Sequence, residues 1–255
     1  MSKLLPNDKF LDFSDYGRPI AKWIALNLKD TNLTSIHLTY AFGISGILAA
    51  FCIWNGYFIW AGFFLILKSI LDAADGELSR IKNSPSYTGR YLDSIFDILL
   101  NLIFLITIGT LTESPIGLTL LSFFCVQWQG TLYNYYYVIL RNISQGGDQT
   151  SKVFEQKSPK AFPNESQKVV NVLFLLFSLL YGFFDRSIQL MDRQAHRSKN
   201  YPSWFMSLVS LYGLGTQLFI MSILLSLGKI DLIIPFFIGF TVLLPLFILL
   251  RKNLK

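Results

Sequence analysis

Apolar runs of about twenty residues, separated by short segments that hold nearly all the charge, constrain this chain more than any other feature. One soluble core would hide its apolar residues through amphipathic periodicity, not in unbroken runs. The pattern describes a polytopic helical membrane protein. Charged residues make up 15% of the sequence, against about 25% in a soluble domain. The expected fold is all-α: a bundle of about six transmembrane helices plus interfacial or re-entrant helices. Net charge is +6, but the cations flank apolar runs, so they orient the chain and meet lipid headgroups; nucleic acid is not an expected partner. Cys52 and Cys125 lie inside apolar runs and read as small core hydrophobes. The first thirty residues are too polar for a signal peptide.

Residues 1–15 read as a loose polar lead, and residues 16–28 place Ile20, Trp23, Ile24 and Leu28 on one stripe of an interfacial helix. Residues 1–34 are therefore an N-terminal tail and interfacial helix, and 35–255 a membrane-embedded domain. The spacing predicts helices from Ile36 to Trp54, from Tyr57 into an acidic stretch, from Tyr87 to Thr110, and from Pro115 to Arg141. A polar loop over 142–167 carries Lys152, Lys157 and Lys160. Val169 to Phe184 is short for a span, and Trp204–Leu227 and Ile230–Leu250 complete the set. If the short segment is re-entrant or interfacial, six spans put every cationic segment on one side, including Arg193, Arg197, Lys199 and the tail Arg251, Lys252 and Lys255. The bias of cations toward the cytoplasm favours six.

Asp72 to Asp97 reads DAADGELSRIKNSPSYTGRYLDSIFD. Ionisable groups beside membrane helices cost roughly 2.5–3.5 kcal/mol each at a helix centre and need a reason to be there. Asp72 and Asp75 are three residues apart and Asp93 and Asp97 four apart, so each pair shares a helix face. The short connection makes the two helices antiparallel neighbours. Four converging carboxylates repel unless a cation joins them, and hard oxygen ligands point to Mg²⁺ or Mn²⁺, with room for two ions. Gly76 and Gly89 permit close approach, and Arg80 can fork onto a phosphate.

The pattern Asp72-x2-Asp75-Gly76-x3-Arg80-x8-Gly89-x3-Asp93-x3-Asp97 resembles the signature of the CDP-alcohol phosphotransferases. All seven fixed positions match, with Ser79 where the family usually carries Ala. The resemblance implies a metal-dependent transferase of phospholipid biosynthesis. It would move the phosphoryl-linked group of a CDP-linked donor, foremost CDP-diacylglycerol, onto an acceptor alcohol and release CMP. Asp72, Asp75, Asp93 and Asp97 would hold the metal, with Asp97 also the base toward the acceptor hydroxyl. Gly76 and Arg80 would contact the CDP moiety, and Gly89 would permit close packing or nucleotide approach. Members commonly pair, so a homodimer is expected by resemblance alone, with the active site facing the cytoplasm.

Two other readings compete. A CDP-choline or CDP-ethanolamine phosphotransferase would act on diacylglycerol, and a cation transporter or channel would use the acids as an ion path, though that path would not require the two glycines. Outside the signature the expectations are plain. Glu77 is a solvated helix-face residue, Lys82 and Arg90 are interfacial anchors or contacts to acceptor or lipid phosphate, and His37 is a hydrogen-bonder at a helix start. The tyrosines at 133–137 form an aromatic belt, and Gly213 and Gly215 are helix-packing positions.

Overall fold

The computed structural model describes residues 4–5, 8–144, 155–198 and 200–254. Lys152, Lys199 and Lys255, counted above among the orienting cations, lie outside the described residues. The chain is 78% helix, and no strand occurs among the described residues. A short amphipathic helix α1 (Arg18–Leu28) precedes four long ones: α2 (Ser35–Trp54), α3 (Phe58–Ile81), α4 (Tyr87–Leu111) and α5 (Ile116–Ile143). Then follow α6 (Gln167–Met191), α7 (Ser203–Val209), α8 (Leu214–Ser226), α9 (Ile233–Phe240) and α10 (Leu243–Asn253).

Local chemistry sets the ends. Thr34 and His37 form a reciprocal cap at the start of α2, with Thr34 N donating to His37 Nδ1 at 3.1 Å, the hydrogen-bonding role expected of that histidine. Gly56, at φ +76°, turns the chain into α3. Ser86 caps α4 by accepting from Gly89 N at 2.8 Å. Gly43 and Gly46 let α2 lie against α4, since a Cβ at Gly46 would come within 2.5 Å of Leu100.

Among the described residues, four helices are long and apolar enough to cross a membrane, or five if the pair bent by 50° at Gly213 counts as one. Outward faces are apolar, as at Ile44, Ile47, Phe51, Ile59 and Phe63. Helices α3 and α5 fall outside that apolar class although they run 24 and 28 residues. Their polar residues face inward, and both helices wall the central cavity. The Trp204–Leu227 span expected to be continuous is broken at Gly213. There the backbone is extended so that the N-terminal segment can reach in.

Helix α6 is longer than the sequence pattern suggested, and 11% of its apolar window is buried. Its contacts still agree with a segment that does not cross. Val170 packs on Tyr87 and Tyr91 at the start of α4, while Asp192 just beyond its end pairs with Arg251 in the last turn of α10. The ends of α4 and α10 concerned lie at the same end of the bundle, because Ser222 of α8 bonds Gly62 near the opposite end of α3. Both ends of α6 are thus held at the aspartate-bearing end.

Residues 8–15 are docked, not loose. Tyr133 Oη donates to Asp12 at 2.5 Å, and Phe13 N donates to Ser210 Oγ at 3.0 Å. Gly213 and Gly215 serve this docking, not a helix pair: a Cβ at Gly215 would sit 1.9 Å from the Ser14 carbonyl oxygen. Gly215→Ala therefore forces backbone to move. It should cost about 1–3 kcal/mol and expose the N-terminal segment to limited proteolysis; an unchanged digestion pattern would refute the docking role.

The tyrosines are not a belt either. Tyr136 is fully buried and donates to Asp192 Oδ2 at 2.8 Å. Tyr133 and Tyr136 turn inward because the Asp12 and Asp192 carboxylates accept from their hydroxyls, and Tyr135 donates to the Asp192 carbonyl at 3.3 Å.

Near the end of the polar loop, Glu165 staples the start of α4, accepting from Thr88 N at 2.7 Å, Ser86 Oγ at 2.8 Å and Tyr87 N at 3.2 Å. Burial pushes its carboxyl up, but these donors outweigh it and hold it below the usual glutamate range. A lowered carboxylate stabilises above the ordinary range and stops doing so as pH falls through its own value. Glu165→Ala should loosen the first turn of α4 by about 0.5–2 kcal/mol, read as faster amide exchange at residues 87–89. Acidification of the parent chain should produce the same loosening.

Candidate active site

The last three turns of α3 carry Asp72, Asp75, Gly76 and Arg80, and the first three of α4 carry Gly89, Asp93 and Asp97. The Asn83–Pro85 turn joins the two helices, but they do not pack on each other as the short connection suggested: α2 packs against both, and the acids meet across the gap between them. All seven positions line one cavity of about 1290 Å³. The N-terminal segment, α5 and α6 supply its other walls.

Three of the four acids form a tight group. One carboxylate oxygen each from Asp72, Asp75 and Asp93 lie within 4.8 Å of one another. Asp75 is 9% exposed and is oriented by Thr39, whose Oγ1 donates to Asp75 Oδ2 at 2.8 Å. Asp93 Oδ1 is buried with no hydrogen-bond partner among the described residues. Such an oxygen needs a cation or a donor. Anionic oxygens converging at this separation fit a hard divalent ion such as Mg²⁺ or Mn²⁺.

Asp97 stands apart from that trio. Its Oδ1 accepts from Lys68 Nζ at 2.6 Å, and Lys68 is fully buried. The ammonium also lies 4.8 Å from the centre of the Phe42 ring.

Arg80 folds back over its own helix, so that a Cβ at Gly76 would lie 3.4 Å from Nη1. Its Nη2 is 3.1 Å from Glu77 Oε1, close enough for an ion pair. Neither Nη2 nor the buried Nε is aligned to donate to a partner among the described residues. Glu77 is the clearest departure from the sequence reading. It is 2% exposed, not solvated, and also pairs with Arg18 at the start of α1. Helix α1 lies along α3 through Ala21, Ala25, Ala74 and Leu78, and this seats Arg18 beside the acid. Arg90 pairs with Glu155 instead of anchoring at the interface. Lys82 donates to the carbonyls of Thr31 and Leu33 at 2.6 and 2.7 Å, tying α3 to the segment before α2.

Sequence reasoning missed Lys68, Thr39 and Arg18. Lys68 had a usable signal: a lone cation in the apolar run FFLILKSIL, four residues before Asp72 and so on its helix face. Thr39 and Arg18 had none, because they reach the site only through packing of separate helices.

A search of the curated proteins finds no match. A family model described as CDP-alcohol phosphatidyltransferase matches residues 33–191, more than half of the chain, including every signature position. The chain belongs to the CDP-alcohol phosphatidyltransferase family, membrane transferases that pass a substituted phosphate group from a CDP-alcohol onto an alcohol.

Proposed function

We propose that this enzyme uses CDP-diacylglycerol as donor and transfers its phosphatidyl group to a small alcohol, with Asp72, Asp75 and Asp93 holding Mg²⁺ or Mn²⁺ and Asp97 acting as base. The observation that carries this reading is the trio of carboxylates, with oxygens within 4.8 Å, sharing one cavity with the buried guanidinium of Arg80. The acceptor oxygen attacks the phosphorus that bears the diacylglycerol. The bond from that phosphorus to the bridging oxygen breaks, and CMP departs with that oxygen. The acceptor proton passes to the Asp97 carboxylate. A bound divalent ion would neutralise the pyrophosphate and the departing CMP.

Each residue has a task in this scheme. Arg80, held beside Glu77, turns its Nε and Nη2 to the pyrophosphate, and Gly76 leaves room for the nucleotide beside it. Gly89 keeps the first turn of α4 thin against Ser86. Thr39 fixes the orientation of Asp75. The cations at the aspartate-bearing end support a cytoplasmic-facing site. A homodimer completes the reading by family resemblance.

The deciding experiment incubates purified protein with radiolabelled CDP-diacylglycerol, Mg²⁺ or Mn²⁺ and a panel of alcohols. Metal-dependent CMP release together with a new phospholipid supports the proposal. Product formed only from a CDP-aminoalcohol plus diacylglycerol would replace the donor. Cation flux in liposomes without any transfer would overturn the enzyme reading.

A further inference from the structure

In the four-aspartate signature each carboxylate would serve the metal centre. Here one of them is already occupied. Lys68 approaches from the middle of α3, one helical turn before Asp72, and places its ammonium 2.6 Å from Asp97 Oδ1. Burial is complete on the lysine, and Asp97 is 15% exposed. The Phe42 ring, 4.8 Å from Nζ, closes another side of the ammonium. A lysine held this way cannot swing out to water without leaving Asp97 as an uncompensated charge in an apolar helix pair.

We propose that the Lys68 ammonium occupies the cation position beside Asp97, so that the centre takes a single divalent ion, on Asp72, Asp75 and Asp93. This rests on the metal-dependent reading above. Two observations support it. The acids divide as three and one: three carboxylate oxygens converge within 4.8 Å, and the fourth acid lies outside that group among the described residues. A second divalent ion sharing Asp97 would also sit next to a fixed positive charge, with strong repulsion in a low-dielectric setting. The arrangement has a chemical consequence. An aspartate that ligates an ion is a poor proton acceptor, because the metal draws on the same lone pairs. Held by Lys68 instead, Asp97 keeps its second oxygen for the acceptor hydroxyl. Lys68 is a positioning residue: it acts through Asp97, not on substrate.

The test counts ions. Purified wild-type protein, Lys68→Met and Lys68→Arg are titrated with Mn²⁺, and free Mn²⁺ is followed by electron paramagnetic resonance. One ion per chain is expected for the wild type and for Lys68→Arg. Two are expected for Lys68→Met, where the bared Asp97 recruits a second ion, with spin–spin broadening between the pair. Two ions in the wild type, or one in Lys68→Met, overturn the proposal while leaving the metal-dependent reaction intact. If Lys68→Met does not fold, the wild-type stoichiometry decides. A wild type that binds no Mn²⁺ yet releases CMP overturns the metal-dependent reading and this inference with it.

Discussion

Exchanging Asp93 for asparagine will cut CMP release by roughly a hundred- to a thousandfold, the range seen when one preorganised electrostatic contact to a transition state is removed. The side chain keeps its shape but loses the charge that a divalent ion needs. Asp93 Oδ1 is the buried oxygen without a partner, and its carboxylate shares a 4.8 Å neighbourhood with those of Asp72 and Asp75. Stability should move the other way. Without metal, three close carboxylates repel, so the variant should unfold at a higher temperature than the parent in a chelator. Added Mg²⁺ should raise the parent's unfolding temperature and leave the variant's almost unmoved, because a ligand stabilises only the state that binds it. The measurements are CMP release and thermal unfolding with and without Mg²⁺. Unchanged turnover would sink the metal-site assignment.

The largest effect on stability belongs to a second buried charge cluster, outside the aspartate trio. Asp192 is fully buried, Arg251 is 4% exposed, and the two pair while Tyr136 donates to the same carboxylate. Removing one partner leaves a charge stranded away from water, so Asp192→Ala should destabilise by about 3–5 kcal/mol. Arg251→Met should cost a similar amount by stranding Asp192. The double variant, Asp192→Leu with Arg251→Met, should recover most of the loss, because two apolar groups of similar volume make no demand for compensation. Denaturant or thermal unfolding in detergent reads all three. Additive losses in the double variant would show that the pair is not coupled. Asp192 lies outside the aspartate cluster, so the double variant should also retain turnover.

Much of the chemistry was legible from spacing. Two aspartates three apart and two more four apart put each pair on one helix face by geometry alone, but α3 and α4 are held together through α2 and not by the direct packing that their short connection suggests. The apolar runs likewise made the bundle legible, and the two cysteines are buried and free as expected. Other assignments failed for one shared reason. Glu77, the tyrosines at 133–137, and Gly213 with Gly215 were assigned from their local surroundings. Their actual partners are Arg18, Asp192, Asp12 and Ser14, contributed by segments distant in sequence. Local pattern carries no information about partners as far off in sequence as these.

The sequence by itself determined the helices, the membrane setting and which acids share a face, because periodicity and hydropathy act within one element. Only the tertiary structure decided which acid stands alone with Lys68, and that α6 lies across the bundle despite a length sufficient to cross it. Those outcomes depend on where separate helices place their charges. A buried ion pair forms wherever packing brings two charges out of water together, and no property of either segment alone specifies that meeting.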